Sequence, residues 1–278
     1  MNQKQRQRIK KHQQQLKAAA AMKKKRAEKQ EALSKEQRKK KRKQRLRNPK
    51  NVGPPAINHP LPVPKDIKAE EFNKECFIIG GGPSLCDFNW SNLDGKFNIA
   101  INRAYEVLPN AQIVYFTDDD YYQRHKVAML EHSGKKYRGR LARRPVIKEP
   151  EVLELQLQQR AWGWSDTFGE LYHGSNSTYA CIQVAAQLGF NKIYLLGIDM
   201  KHQGKYIKQK GKNKGVTHWH TGHRRTDPAH AYKMMMGHYQ KMVPEAKKRG
   251  IEIINVNTPE GTNMKLFPIK SFEQVFNS

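Results

Sequence analysis

A repeated unit constrains this chain more than any other feature: a short apolar run that stops abruptly at glycine or polar residues. Cys76–Ile79 halts at Gly80-Gly81-Gly82-Pro83-Ser84, and Phe97–Ile101 at Asn102-Arg103. Ile113–Thr117 halts at Asp118-Asp119-Asp120, and Lys192–Leu196 at Gly197-Ile198-Asp199. Runs of this length read as strands. Between and after them lie helical patterns. Thr178–Leu188 has apolar residues at three-to-four spacing and stops at Gly189; Pro228–Arg249 stops at Gly250, and Ile251–Val256 forms a last strand. Strand, helix and strand in alternation predict an α/β, Rossmann-like fold: a mostly parallel sheet with helices on both faces. Residues 134–165 break the rhythm. They are strongly basic at first, as in Lys135-Lys136-Tyr137-Arg138-Gly139-Arg140, and read as an insertion or a lid.

In open parallel sheets, ligands bind at the carboxyl ends of the strands. The four runs therefore deliver their polar stops to one edge. Gly80, Gly81 and Gly82 let backbone approach a ligand closely, Pro83 pre-sets a turn, and Ser84 either caps the next turn of chain or meets a phosphate. The spacing matches neither GxGxxG nor a glycine-rich loop closed by GKS or GKT. Gly174-Ser175-Asn176-Ser177-Thr178 precedes a helix, where small polar side chains suit an anion or serve as caps. Asp118 and Asp120 form a DxD, a pattern that holds Mg²⁺ or Mn²⁺ against a diphosphate when both carboxylates face it. Three histidines, His218, His220 and His223, lie within six residues beside Arg224 and Arg225. No cysteine or carboxylate within residues 217–225 completes a zinc set there, and the arginines repel a cation. A histidine general base with arginines holding phosphate charge suits that segment better.

Charge separates the chain into parts. Residues 1–50 hold 21 Lys and Arg against 3 Glu, a net +18 of the chain's +27. Residues 1–48 form a polybasic arm, too poor in apolar residues to seal a core. Residues 49–65, with six prolines, form a stiff linker. Residues 66–278 make up the folded domain. Such an arm suits a polyanion: nucleic acid first, an anionic membrane surface as rival. The arm lacks the Trp and Phe that anchor interfacial helices. No apolar run reaches the roughly 20 residues that span a bilayer, and Ala18–Met22 is too short for a signal-peptide core. Cys76, Cys86 and Cys181 show no framework spacing. Together these point to a cytoplasmic protein.

FIIGGGPSL, then Asn102 after FNIAI, then GSNSTYACIQVAAQLGFNKIYLLGID, then His218-Trp219-His220-Thr221-Gly222-His223 occur in an order that resembles the bacterial sialyltransferases that use CMP-sialic acid. It equally resembles their hydroxymethylpterin pyrophosphokinase-like relatives, many of them bacteriophage proteins. The resemblance spans roughly residues 74–260. It implies a GT-A-like Rossmann domain, with Gly80, Gly82, Pro83 and Ser84 bounding the nucleotide phosphate and ribose. It implies that Asn102 contacts the donor, that Ser175, Asn176 and Ser177 line the nucleotide pocket, and that Asp199 ends a strand beneath ribose or base. Gly222-His223 matches the Gly-His whose histidine is the family's base. Two departures stand out. The family's tyrosine after GID is replaced by Met200-Lys201-His202, which leaves Lys201, Arg224 or Arg225 to hold the departing phosphate. The Asp118–Asp120 run is unlike the metal-independent sialyltransferases.

The leading expectation is a nucleotide-sugar-dependent glycosyltransferase, phage-type, acting on hydroxylated bases of nucleic acid or another polyanion. A non-catalytic nucleic-acid-binding or phage morphogenesis protein, and an ATP-dependent diphosphokinase using Mg²⁺ at Asp118 and Asp120, are the alternatives. Deleting residues 1–50 is expected to weaken binding to duplex DNA strongly at low salt and to flatten the plot of log affinity against log salt. Equal affinity and slope in filter-binding titrations of the two chains would remove the arm from nucleic-acid binding.

Overall fold

The computed structural model describes residues 60–277, apart from residues 202, 210, 211, 217 and 220–228. The described residues belong to one compact unit, Pro54–Ser278. Its centre is a nine-stranded sheet in which every neighbouring pair is parallel. The strands are β1 (Glu75–Ile79), β2 (Asn98–Ile101), β3 (Ile113–Phe116), β4 (Lys135–Leu141), β5 (Val152–Leu157), β6 (Glu170–Leu171), β7 (Lys192–Leu196), β10 (Glu252–Val256) and β11 (Ile269–Lys270). Strands β8 (Gln203–Gln209) and β9 (Lys212–Val216) pair with each other as an antiparallel ribbon.

The spatial order is β11-β10-β7-β1-β2-β3-β4-β5-β6. The chain therefore builds outward from β1 to β6, crosses back, and continues on the other side of β1 with β7. The crevice between β1 and β7 is the topological switch point, where the loops leaving two adjacent strands part in opposite directions.

Among the described residues four α-helices cover the sheet: α1 (Asp119–Glu131), α2 (Ser177–Gln187), α3 (Ala229–Lys248) and the short α4 (Phe272–Phe276). Alternation along each strand divides the core in two. Ile78, Ile99, Ile193 and Ile253 point to one face, where they meet Tyr179, Ile182 and Val184 of α2 and Tyr239 and Met242 of α3. Phe77, Ile79, Val114, Phe116 and Leu196 point to the other, against Tyr121, Tyr122 and Met129 of α1 and the α4 aromatics. Burial on both faces is why the central strands read as continuous apolar runs. Helix α2 is buried at every position from Thr178 to Ala185. Gly189 and Gly250, just past α2 and α3, lie in the left-handed region, with φ of +93° and +67°, and stop the helices as the sequence predicts.

Residues 134–165 are neither insertion nor lid. They contain β4 and β5, two strands of the central sheet, which pair in register from Lys136 opposite Val152 to Leu141 opposite Leu157. The basic run is misleading because its charges are internal: Arg138 is 1% exposed and Arg140 2%. Both pair with Glu154 of the neighbouring strand. Among the described residues no helix is long and apolar enough to cross a membrane.

Glycines in this fold answer to local space. A Cβ on Gly82 would lie 2.5 Å from the Gly197 carbonyl oxygen and 2.7 Å from the Asp199 carboxylate, whereas one on Gly237, inside α3, would meet nothing within 4 Å. Gly82→Ala is expected to cost about 1–3 kcal/mol through overpacking. Gly237→Ala is expected to add up to about 1 kcal/mol through helix propensity. Urea unfolding of both variants checks this; effects of the same sign would contradict the packing described.

Candidate functional site

A cleft of about 480 Å³ opens over the carboxyl ends of β1, β2, β3 and β7. The polar stops of all four runs reach its wall: Gly80, Gly81 and Gly82, then Asn102, then Asp118, then Asp199. The 174–178 turn before α2 forms the facing wall, with Ser175, Asn176 and Ser177 lining the cleft.

The glycine turn after β1 is explained by how close β7 lies. Gly80 N–H donates to the Leu196 carbonyl and Gly82 N–H to the Gly197 carbonyl, each at 2.8 Å. Gly82 has an ordinary φ of −60°, so it is the space and not the backbone angle that excludes a side chain there. Gly81 is crowded from the cleft side: a Cβ would sit 2.4 Å from Cδ2 of His218. The His218-Trp219 segment is fastened to the same turn. Trp219 N–H donates to the Gly81 carbonyl at 2.8 Å, and its indole N–H to the Gly80 carbonyl at 3.2 Å.

Ser84 is placed differently from the phosphate-binding expectation. Its hydroxyl donates to Asp199 Oδ1 at 2.6 Å and its amide to Asp199 Oδ2 at 2.9 Å. Asn257 adds a third donor to Oδ1 at 2.9 Å. Neither Pro83 nor Ser84 lines the cleft. They form a short 3₁₀ turn that straps the β1 end to the β7 end. Asp199 is 3% exposed, and burial pushes its carboxyl above the usual range despite these three donors.

Asn102 lies at the mouth of β2 with φ of +51°, a left-handed conformation that Asn tolerates better than most residues. Its side-chain oxygen is buried and has no hydrogen-bond partner among the described residues. A buried acceptor without a donor is costly, and one that borders a cleft is placed to take its donor from a bound molecule.

The 174–178 turn is strained too. Gly174 and Ser175 have φ of +53° and +64°. Asn176 caps α2, with its side-chain oxygen accepting from Tyr179 N–H at 3.0 Å and from the Tyr239 hydroxyl at 2.8 Å. That oxygen is thereby committed to the scaffold. Ser177 Oγ lies 3.4 Å from Thr117 Oγ1, joining this wall to the end of β3. Ser175 N–H donates to His173 Nδ1 at 3.0 Å. In its neutral form His173 therefore carries its proton on Nε2. Burial, with His238 nearby, holds its pKa below the usual histidine range.

The acidic run after β3 does not act as a pair. Asp118 lines the cleft. Asp119 opens α1 and is ion-paired with Arg138 and Arg144. Asp120 is exposed in the first turn of α1 and does not line the cleft. Among the described residues no group of three or more His, Cys, Asp or Glu is placed to share a metal ion. Of Asp118 and Asp120, only Asp118 therefore has its carboxylate at the cleft. His220, His223, Arg224 and Arg225 lie outside the described residues. Lys201 does line the cleft.

Sequence reasoning missed His173, Thr117, Arg144 and Tyr232, all of which line the cleft. His173 stands two residues before Ser175 but belongs to none of the motifs that mark the strand ends, and Arg144 lies in the basic segment whose pattern suggests a lid.

No family model matches the chain, and no curated protein sequence matches it. Two solved structures are similar to it. One is a MAf glycosyltransferase from Magnetospirillum magneticum AMB-1, 15% identical, covering 72% of this chain and 34% of its own, with a TM-score of 0.46. The other is the monofunctional alpha-2,3-sialyltransferase Cst-I from Campylobacter jejuni, 15% identical, covering 77% of this chain and 84% of its own, with a TM-score of 0.42. This chain spans about a third of the length of the first.

If Ser84 is a strap, Ser84→Ala removes a hydrogen bond to a buried carboxylate and is expected to destabilise by about 1.5–3 kcal/mol. Ligand affinity, measured by calorimetry below the unfolding range, is expected to stay within about twofold, because the side chain is outside the cleft. A large loss of affinity with no loss of stability would return Ser84 to the ligand.

Proposed function

We propose that the chain is a glycosyltransferase that takes a nucleotide-sugar at the β1–β7 crevice. The observation that carries this reading is the buried, unpartnered oxygen of Asn102 beside a cleft at the topological switch point. Left-handed backbone at Asn102 and Ser175, both in the cleft lining, supports it, since such conformations cluster at ligand clamps. The motif resemblance supplies the ligand class. Gly80, Gly81 and Gly82 bring backbone to the cleft, with the His218 ring against Gly81, and a phosphate or ribose rests beside them. Asn102 accepts from a donor hydroxyl or base amine, and Ser175 and Ser177 line the pocket beside it.

In the reaction a histidine of the 218–223 segment takes the proton of an acceptor hydroxyl. The hydroxyl oxygen forms a bond to the anomeric carbon as the bond from that carbon to the phosphate oxygen breaks. The electron pair leaves with the nucleotide, whose charge Lys201, Arg224 and Arg225 offset. We assign the base to His223 by its Gly-His motif. His218 lines the cleft, and His220 lies between the two in sequence. No step is routed through a metal; of the acidic run, Asp118 alone lines the cleft. The acceptor we propose is nucleic acid carrying hydroxylated bases, in a phage-type setting, brought to the enzyme by residues 1–50. The support for it is the +18 arm on its proline tether.

The test is a thermal-shift panel on the whole chain with CMP, UDP, GDP, ATP and their common sugar conjugates, each with and without Mg²⁺ or Mn²⁺. A matching ligand at about 100 times its dissociation constant adds roughly 2.7 kcal/mol, a shift of several degrees. Asn102→Ala is expected to abolish that shift. A shift with ATP alone that depends on Mg²⁺ would replace this reading by diphosphoryl transfer. No shift with any nucleotide would end the enzyme reading and leave the arm as the active part.

A further inference from the structure

The cleft has a second polar end, beside β4, that the glycine turn and the 174–178 turn do not account for. A chain of five charged side chains ends there, with Arg144 alone of the five lining the cleft. Arg144 donates to one oxygen of Asp119 at 3.2 Å, and Arg138 donates to the other. Arg138 also donates to Glu154 Oε1 at 2.7 Å, and Arg140 to Glu154 Oε2 at 2.5 Å. The two buried guanidinium groups are balanced by two carboxylates. The fifth member, Arg144, is the surplus positive charge. Its side chain is 55% exposed and lines the cleft.

Buried ion networks are poor stabilisers, because desolvation offsets most of the attraction. What this one does is hold a loop. Arg138 Nη1 donates to the Pro145 carbonyl at 2.8 Å, and Arg140 Nη1 to the carbonyls of Ala142 and Arg144, each at 3.4 Å. Ile147 N–H donates to Glu154 Oε1 at 2.9 Å, and Arg144 N–H to the Leu141 carbonyl at 2.8 Å. The segment leaving β4 is thereby pinned to the sheet by buried side chains, and it carries Arg144 to the cleft. A guanidinium group presented from a fixed seat loses little freedom when it meets an oxyanion, and its planar fork matches one.

We propose that Arg144, seated by Arg138, Glu154 and Arg140, forms an oxyanion subsite at the β4 end of the cleft, which takes a phosphate or carboxylate carried by the bound ligand. Arg144 is the ligand-touching residue; Arg138 and Arg140 are positioning residues. The identity of the molecule that brings the anion rests on the nucleotide-sugar reading, but the anion site is tested without any nucleotide.

The whole chain is titrated calorimetrically with inorganic phosphate and, separately, with glucuronate, with chloride holding ionic strength constant. The basic arm contributes equally to every variant, so differences report Arg144. At least one of the two anions is expected to bind, and Arg144→Gln to weaken it by about tenfold or more. Arg144→Lys, which keeps the charge without the fork, is expected to fall between. Preference for phosphate assigns the subsite to a phosphoryl group, and preference for glucuronate to an acidic sugar. Arg138→Lys is expected to weaken the same anion severalfold in protein that is still folded by circular dichroism. Unchanged affinity in Arg144→Gln, or no binding of either anion to the unaltered chain, overturns the proposal. Neither result bears on nucleotide stabilisation, so the two readings fail separately.

Discussion

The end of β1 and the end of β7 approach so closely that backbone meets backbone, and much of the cleft derives from that contact. Gly82 N–H bonds the Gly197 carbonyl at 2.8 Å, and a methyl group on Gly82 would collide with it. Two strands that diverge in their connections must still be held together where they end, or the crevice between them would vary in width. Ser84, Asn257 and the buried Asp199 carboxylate supply that hold. Burial raises the Asp199 pKa, so the folded state retains this proton to higher pH than the unfolded chain does. Between the ordinary carboxylate value of 3.8 and the raised one, stability therefore falls as pH rises. The ionised carboxylate is kept in place by its three donors at some cost in solvation, which is reasonable for a strap whose work is geometric.

A second constraint acts across the sheet. Strands β4 and β5 would be ordinary edge-side strands if Arg138 and Arg140 were aliphatic. Placing two guanidinium groups inside the protein requires Glu154 on the adjacent strand and Asp119 at the start of α1, so the register of β4 on β5 and the seating of α1 become coupled. Asp119 is thereby committed to the scaffold, one oxygen to each arginine, and does not line the cleft. The acidic run divides its work: one carboxylate faces the cleft, one locks the sheet, and one lies in the first turn of a helix, where the dipole favours it.

How much of the fold and site is legible from residues alone depends on which energy term dominates locally. Runs such as KIYLL and FNIAI are strands because burial on both faces admits nothing else, and their limits match the observed strands to within a residue or two. The stops are legible because the switch-point rule is geometric and does not depend on side-chain detail. Residues 135–141 are not legible as a core strand, because KKYRGRL has no apolar run. Its burial depends on partners at 119 and 154, and single-sequence patterns carry no pair information. Ser84 and Asn176 illustrate a subtler limit. Both are polar, both stand where the strand-end rule puts a ligand, and both spend key polar atoms on the fold, on Asp199 and on the α2 cap. A polar residue beside a cleft is the same symbol in the sequence whether it faces inward or outward.

Asn102 is the opposite case, and it shows why the orphaned atoms matter more than the satisfied ones. The sequence places Asn102 at a strand end with many others. In the structure its backbone adopts a left-handed conformation and its buried oxygen goes without a donor among the described residues, while nearby Ser84, Asp199, Asn176 and Ser177 find partners within the protein. Of the eight buried side-chain atoms without a partner among the described residues, only Asn102 Oδ1 belongs to a residue that lines the cleft. A donor from a bound molecule would complete it. The natural direction of approach is the cleft, between a glycine wall that admits backbone contact on one side and the strained Ser175 turn on the other. The cleft is thus shaped by what the scaffold excludes at β1–β7 and completed by what Asn102 still lacks.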